Sequence, residues 1–317
     1  MTAIQFVNVS KHYPGNPAPA VDNISLEIPE GSIVVLLGPS GCGKTTLLKM
    51  VNRLHEPTSG KIYLGGVDIQ SLPINQLRRN IGYVIQQVGL FPHMTIAGNI
   101  AVVPELLGWE KKRIQARVDE LLELIHLPIE YRNRYPAQLS GGQQQRVGLA
   151  RALAADPAVM LMDEPFGAID AITRANLQDQ LLELQQRLRK TIIFVTHDVE
   201  EALKLADEII VLDKGKLVQK DTPCNLLAHP AGQFVQQLLN TDDRIRQLSL
   251  VRVESVMRPV DPNLDPRQFP CVSVGTNLKQ VLSLMLSPVT DCVIVTRNNQ
   301  PVGLVTFDQI RKVGCSS

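Results

Sequence analysis

The chain has 317 residues with an apolar fraction of 44%, and its 32 basic side chains nearly cancel its 31 acidic ones. This length predicts one large domain or two unequal domains rather than one small core. Because the charges balance and no basic block stands out, the sequence argues against a nucleic acid as the main partner.

Apolar runs and cysteines argue against further classes of protein. The longest purely apolar runs, such as residues 33–37, are far shorter than the roughly 20 residues that cross a bilayer, and the N-terminus lacks the charged-then-apolar order of a signal peptide. We therefore expect the chain to stay in the cytosol. Its five cysteines are scattered and lack C-x-x-C spacing, which predicts reduced thiols instead of a disulfide frame or a zinc site.

The N-terminal part of the chain predicts strands and then a strand, loop and helix. Residues 4–13 and 20–28 alternate apolar and polar side chains, as half-buried strands do. Residues 31–37 form a continuous apolar run, typical of a central strand buried on both faces. A glycine-rich stretch follows, and the sequence KTTLLKMVNRL from Lys44 onward predicts a helix.

The middle of the chain predicts a helical insert and then a return to alternating strands and helices. Helical signals fill residues 96–155, and we place a helical subdomain at about 88–155. An apolar run at 158–162, a helix at 173–189 and a buried strand at 191–197 then indicate a mainly parallel sheet with helices on both faces. Residues 207–221 predict a hairpin that turns at Lys214 and Gly215.

The pattern weakens near residue 240, which predicts a change of domain. We assign residues 1–240 to a first domain, 241–252 to a linker or connecting helix, and 253–317 to a small second domain. The second domain gives the order strand, helix, strand, turn, strand and helix.

The stretch GPSGCGKT, from Gly38 to Thr45, fits the phosphate-loop pattern G-x-x-x-x-G-K-[ST] in full. Its glycines let backbone N–H groups approach phosphates, Lys44 can reach the β and γ oxygens, and the Thr45 hydroxyl can take a position on Mg²⁺. The alternative is an ordinary strand-to-helix turn. Cys42 is then a small filler whose place beside phosphate would make it sensitive to oxidation.

Polar residues also follow two other predicted buried strands, at the end of the sheet where ligands gather in α/β folds. Asp163 would bind Mg²⁺ through water, Glu164 would polarise the attacking water, and His197 would hydrogen-bond the γ-phosphate. A lone histidine at a strand end is otherwise a structural residue. Together with Lys44, these residues favour a site that hydrolyses a nucleotide.

A second glycine-rich helix start, LSGGQ at residues 139–143, raises the question of what another phosphate-binding helix would hold. A helix cap would account for Ser140. It leaves the double glycine, Gly141 and Gly142, unexplained.

In this order, the motifs resemble those of the ATP-binding subunits of ABC transporters, over about residues 4–239. The resemblance implies an α/β fold: a P-loop NTPase core with a RecA-like sheet, an antiparallel β region and the helical subdomain. It makes Glu164, His197 and Gln86 catalytic, with the adjacent Gln87 as an alternative to Gln86. It also implies Mg²⁺ as a cofactor, held by Thr45, Asp163 and Gln86.

The resemblance further implies ATP as the ligand of both glycine-rich stretches. Tyr13 would stack on adenine, and Asp170 would belong to the D-loop. The residues implied to contact ATP are Tyr13, Gly38, Pro39, Ser40, Gly41, Cys42, Gly43, Lys44, Thr45, Thr46, Ser140, Gly141, Gly142, Gln143 and Asp170.

The family also implies partners. A second copy of the chain would pair head to tail, so that LSGGQ of one chain covers the ATP held by the other. Integral membrane permease subunits would dock near Gln86 to Met94, including Phe91 and Pro92, although Phe91 could instead belong to the core. Through the permease, a substrate-binding protein would be an indirect partner, and the chain would lie peripherally on the cytoplasmic face of the membrane.

The C-terminal tail, residues 253–317, is the part of the sequence that indicates which solute is transported. VESVMRP and QPVGLVTFDQI resemble a CBS domain, and an ABC ATPase with such a tail resembles the importers of glycine betaine, choline or carnitine. CBS modules usually come in tandem, whereas one is found here, so two chains could each supply one as a sensor or as a dimerisation prop. Importers of methionine or taurine, and less favourably a non-transport ABC-type ATPase, are the alternatives.

Overall fold

The computed structural model describes residues 2–86, 89–167, 169–240, 248–260, 269–286, 290–298 and 300–313. Its contacts divide the chain into two compact units, Met1–Asp221 and Thr222–Ser317. This division precedes two short helices, at 223–228 and 233–239, that the sequence analysis assigns to the first domain. Residues 241–247 of the predicted linker lie outside the described residues.

The N-terminal strands form an antiparallel sheet in the order β2, β1, β4, β5. Alternate residues of β2 are buried, which is the pattern that the sequence predicts for a strand with one face on the core. The strands are β1 (Thr2–Lys11), β2 (Val21–Pro29), β4 (Ser59–Leu64) and β5 (Val67–Asp68).

A six-stranded, mainly parallel sheet follows the order β10, β9, β3, β8, β7, β6, with β10 antiparallel to β9. Every residue of β3, β7 and β8 is buried, as the predicted apolar runs require. The sheet confirms the predicted P-loop NTPase core. Its strands are β3 (Ile33–Leu37), β6 (Ile81–Val84), β7 (Val159–Asp163), β8 (Thr191–Val195), β9 (Glu208–Asp213) and β10 (Lys216–Asp221).

The order of these strands positions the candidate site. Strands β3, β8 and β7 are parallel neighbours, so their C-terminal ends meet at one edge of the sheet. The phosphate loop follows β3, Glu164 follows β7, and His197 lies two residues beyond β8. Residues far apart in the sequence are thereby brought to the same edge.

Helices connect the strands of this unit, and α3, α4 and α5 occupy the region predicted as a helical subdomain. Among the described helices, none combines the length and apolarity that a membrane span requires. The helices are α1 (Lys44–Val51), α2 (Ile74–Arg79), α3 (Ile96–Leu106), α4 (Lys111–Leu124), α5 (Gly141–Leu153), α6 (Ala171–Leu188) and α7 (Val199–Leu205).

The second unit contains a three-stranded sheet in the order β11, β12, β13, with β11 parallel and β13 antiparallel to β12. Its core is apolar and includes Leu278, Val281 and Val293. From residue 271 onward the elements follow the predicted order, while the earlier segment Val253–Ser255 is a 3₁₀ turn. The elements are α8 (Pro223–Ala228), α9 (Gln233–Leu239), β11 (Cys271–Ser273), α10 (Leu278–Leu286), β12 (Cys292–Arg297), β13 (Gln300–Thr306) and α11 (Phe307–Val313).

Candidate functional site

The phosphate loop has a backbone that only glycine fits. Gly43, which directly precedes α1, has a φ of 107°, and a Cβ atom there would lie 2.3 Å from the Ala20 carbonyl oxygen. A Cβ at Gly38 would lie 2.2 Å from the Leu212 carbonyl oxygen. No side chain caps the start of α1, which leaves its first N–H groups available to an anion.

Lys44 lies inside this loop. Its side chain is 5% exposed, and its Nζ donates to the carbonyl oxygens of Gly38 at 2.7 Å and Pro39 at 2.9 Å. The Cys42 sulfur is 3.8 Å from the same Nζ, and burial raises the pKa of the Cys42 thiol. A cation is thus held where phosphates would enter. The other loop residues predicted to contact ATP are exposed or half-buried: Ser40, Gly41 and Thr46.

Thr45 and Asp163 meet directly, with the Thr45 Oγ1 donating to Asp163 Oδ1 at 2.8 Å. Burial raises the pKa of Asp163, and the hydrogen bond from Thr45 and the charges of Lys49 and Lys44 oppose this effect only in part. Two adjacent oxygen donors and a buried carboxylate short of positive charge fit a hard divalent cation. Within the described ranges, no three His, Cys, Asp or Glu residues form a metal cluster. One carboxylate and one hydroxyl suit Mg²⁺, which usually completes its shell with phosphate oxygens and water.

Glu164 is the centre of a polar cluster at the sheet edge. Its Oε2 is 3.2 Å from His197 Nδ1 and accepts from Gln86 Nε2 at 3.4 Å. The backbone of Glu164 has a left-handed φ of 46°, uncommon for a residue other than glycine, and its N–H donates to the Val195 carbonyl at 3.0 Å. Glu164 therefore contacts both of the other residues predicted to be catalytic. The alternative residue Gln87 lies outside the described residues.

The two glycines of the second glycine-rich helix start have different surroundings. Ser140 and Gln143 form a reciprocal cap, in which Ser140 Oγ accepts from the Gln143 N–H and Gln143 Oε1 accepts from the Ser140 N–H. A Cβ at Gly142 would lie 2.5 Å from the Thr173 methyl, whereas a Cβ at Gly141 would meet nothing within 4 Å. The close approach of Thr173 therefore gives Gly142 a packing reason, whereas the Cβ position of Gly141 is open.

Two predicted ATP contacts lie apart from these clusters. The Tyr13 ring is half-buried, packs edge-on against His55 at 5.7 Å and has the Lys11 ammonium 5.2 Å from its centre. Asp170 caps α6 by accepting from the Thr173 N–H at 3.0 Å, and hydrogen bonds to Thr173 hold the pKa of this carboxyl below its usual range.

The structure also reveals polar residues that the sequence analysis missed. Glu201 is 5% exposed and accepts hydrogen bonds from Thr196 and Gln178, directly behind His197. Its sequence context, DVEEALK, resembles the exposed acidic first turn of a helix, so no local pattern indicated that it would be buried.

The chain is similar to a known protein family and, over most of its length, to curated relatives. The family model described as ABC transporter matches residues 21–167. The choline transport ATP-binding protein OpuBA of Bacillus subtilis (strain 168) is 46% identical over 311 residues, covering 96% of this chain and 79% of that protein. The glycine betaine uptake system ATP-binding protein YehX of Escherichia coli (strain K12) is 44% identical over 309 residues, covering 97% and 98% respectively.

Among solved structures, the chain resembles a dimeric ATP-binding cassette in a post-hydrolysis state bound to ADP and Pi. The TM-score is 0.62 and the identity 34%, over 69% of this chain and 98% of that chain.

Proposed function

Because this chain belongs to the ATP-binding subunits of ABC transporters, we propose that it hydrolyses ATP to power uptake of a quaternary amine osmoprotectant such as glycine betaine, choline or carnitine. The observation that carries this proposal is the similarity across almost the whole chain, tail included, to subunits named for choline transport and glycine betaine uptake. The clustered Glu164, His197 and Gln86 supply the chemistry.

Hydrolysis would proceed at the edge of the parallel sheet. The loop N–H groups and Lys44 would bind the β and γ phosphates, and Thr45 and Asp163 would hold Mg²⁺, which would neutralise phosphate charge. Glu164 accepts a proton from the attacking water as its oxygen bonds to the γ phosphorus and the bond to the ADP oxygen breaks. His197 is within hydrogen-bond distance of Glu164, so it would orient that carboxylate. It would also contact the γ-phosphate.

A second copy of the chain would complete each site. Gly141 is exposed at the N-terminus of α5 with open space around its Cβ position, so a phosphate of a partner's ATP could approach the N–H groups there. The dimeric cassette that resembles this chain supports such an arrangement. Two ATP molecules would then join the two chains, and ATP hydrolysis would release the chains from each other.

The surface from Gln86 to Met94 is the proposed docking surface for the permease, and residues 89–94 are described as a loop there. Phe91 is 41% exposed, and Pro92 beside it is exposed. The fully buried Asn99 holds this loop, because it accepts from the Phe91 N–H at 2.7 Å and donates to the carbonyls of Phe91 and Met94. Gln86 lies at one end of this surface and contacts Glu164, so a permease that contacts Gln86 would act on the hydrolytic site. The permease would keep the chain at the cytoplasmic face of the membrane and connect it to a substrate-binding protein.

We further propose that the second unit is a single CBS-like module that pairs with that of the partner chain. The similarity to the relative YehX extends over 97% of this chain and so includes the second unit. Nucleotide titration of the full chain carrying Lys44→Ala, which weakens the ATP site, would test a sensor role for the tail. Saturable binding of a nucleotide by this variant would support it, and no binding would favour a dimerisation prop.

The deciding experiment is ATP-dependent uptake by membrane vesicles that contain this chain and its permease subunits. Radiolabelled glycine betaine, choline and carnitine are offered separately, with the Lys44→Ala variant as the control. Uptake of at least one compound that stops in the variant supports the proposal. ATP hydrolysis without uptake of any quaternary amine would refute the proposed cargo and leave the ATPase intact.

A further inference from the structure

Glu201 is a buried carboxyl group that the hydrolysis mechanism does not use. It lies on α7 with 5% exposure. Its Oε2 accepts from the Thr196 hydroxyl at 2.7 Å, and its Oε1 accepts from Gln178 Nε2 at 3.3 Å and lies 4.0 Å from Arg174 Nε. Burial raises the pKa of this carboxyl. A carboxylate buried away from water destabilises the fold unless hydrogen bonds or opposite charges compensate it. The cost of burying Glu201 therefore indicates that this residue has a role beyond packing.

On one side, Glu201 holds the turn that carries His197, which we define as residues 196–198. Thr196 is 2% exposed, and its hydroxyl donates to Glu201 while accepting from the Asp198 N–H at 2.9 Å. This one hydroxyl therefore joins the residues on both sides of His197. Asp198 in turn accepts from the Glu201 N–H at 3.3 Å, so the turn and the first turn of α7 form one hydrogen-bonded unit.

On the other side, Glu201 holds α6. Gln178 and Arg174 both belong to this helix, and Arg174 Nη1 also lies 3.4 Å from Asp198 Oδ2. Within its first turns α6 carries Asp170 as its cap and Thr173, whose methyl lies 2.5 Å from the Cβ position of Gly142. The helix therefore extends from the polar cluster behind His197 to the glycine start of α5.

We infer that Glu201 is a positioning residue that ties the His197 turn to α6, so that His197 and the glycine start of α5 keep one fixed relation within a chain. The inference rests on the proposed function, in which His197 contacts the chain's own ATP and Gly141 contacts the partner's. A chain that senses its own γ-phosphate would then adjust what it presents to the other site. The two ATP sites of a dimer would be coupled through this link.

The chain offers a matched pair of glutamines for the test. Gln178 and Gln185 are on the same helix, about two turns apart, and are 7% and 8% exposed. Gln178 donates to Glu201, whereas Gln185 donates to the Gly31 carbonyl at 2.6 Å, at the start of β3 and away from the His197 turn. Replacing either by alanine removes a buried hydrogen bond from α6, but only one replacement touches the Glu201 link.

The full chain is assayed for ATP turnover, with kcat, KM and the Hill coefficient measured separately. We expect Gln178→Ala to lower kcat about 3- to 10-fold and to bring the Hill coefficient toward 1, with KM for ATP within about twofold, because a tenfold loss equals only about 1.4 kcal/mol of positioning. We expect Gln185→Ala to lower the melting temperature similarly while keeping kcat and the Hill coefficient.

A conservative variant guards against simple unfolding. Glu201→Gln keeps one carbonyl oxygen for the Thr196 hydroxyl and, once the Gln178 amide turns by about 180°, donates its own N–H to Gln178 Oε1, so it should keep most of kcat, whereas Glu201→Leu removes both acceptors and should lower kcat. Equal kcat losses for the two alanine variants, or the same kcat loss for Glu201→Gln as for Glu201→Leu, would overturn the inference. If wild type lacks ATPase activity, the proposed function fails instead. If wild type hydrolyses ATP, Lys44→Ala does not, and Gln178→Ala behaves as wild type, the coupling inference alone fails.

Discussion

Replacing Gly141 by alanine separates what a single chain needs at the second glycine-rich helix start from what a partner chain needs. A Cβ at Gly141 meets no atom within 4 Å, and the residue opens α5 without a positive φ. Alanine is preferred over glycine within a helix by about 0.5–1 kcal/mol. For a unit of this size, that gain corresponds to a rise of about 1–4 °C in melting temperature. The isolated chain should therefore become slightly more stable.

Turnover should move in the opposite direction. If the partner's γ-phosphate approaches the Gly141 N–H, the new methyl group occupies that approach, and we expect kcat for ATP to fall at least tenfold, or about 1.4 kcal/mol. The assay is steady-state phosphate release, alongside thermal melting of the nucleotide-free protein. Wild-type turnover by Gly141→Ala would refute the role assigned to this glycine in the partner's site.

Gly142→Ala is the control, because it gains the same helix preference but meets the Thr173 methyl at 2.5 Å. Turning that methyl about 30° away from its rotamer costs about 0.5–1.5 kcal/mol, so Gly142→Ala should melt below Gly141→Ala. Thr173→Ser removes the methyl and should restore the lost stability in the double variant. If the two alanine variants melt at the same temperature, the packing explanation for Gly142 is wrong.

Three further outcomes are expected in the same unit. Glu164→Gln should still bind ATP but lose at least about 100-fold in kcat and accumulate as an ATP-bound dimer on gel filtration; near-normal turnover would exclude Glu164 as the base. Asp163→Asn should raise the melting temperature of the nucleotide-free protein at neutral pH. Because the pKa of Asp163 is higher in the folded than in the unfolded protein, the protonated carboxyl stabilises the fold fully below the unfolded pKa, and this stability is lost as the pH rises through the folded pKa. The gain in melting temperature from Asp163→Asn should therefore vanish below about pH 4. Ile172, 78% exposed beside the α6 cap, should contact a second copy, so Ile172→Lys should weaken ATP-dependent dimers in sedimentation without lowering the monomer's melting temperature.

The sequence predicts the elements around the phosphate loop well because their signals are local. A continuous apolar run can only be a buried segment, a glycine-rich loop needs backbone angles that other residues avoid, and the hairpin turn at Lys214 and Gly215 has positive φ at both residues. The same local logic extends to the mainly parallel sheet, since buried strands that alternate with helices permit few other arrangements.

The parts that sequence reasoning missed depend on contacts between distant residues. Thr173 lies 31 residues after Gly142 in the sequence, so the reason for that glycine could not be found in its own motif. Glu201 is polar and flanked by helix formers, which predicts exposure, yet Thr196 and Gln178 compensate its burial from two other elements.

The two adjacent acids Asp163 and Glu164 show how strand order completes what the motif begins. Successive side chains of an extended strand point to opposite faces, so a strand that continued through Glu164 would separate the two carboxylates. The left-handed φ at Glu164 ends the strand and keeps both groups at the same sheet edge. The carbonyl that receives the Glu164 N–H belongs to Val195, at the end of β8, two residues before His197. The neighbouring strand therefore both holds the strained residue and supplies its histidine partner, so the hydrolytic geometry arises from the pairing of β7 with β8 rather than from either motif alone.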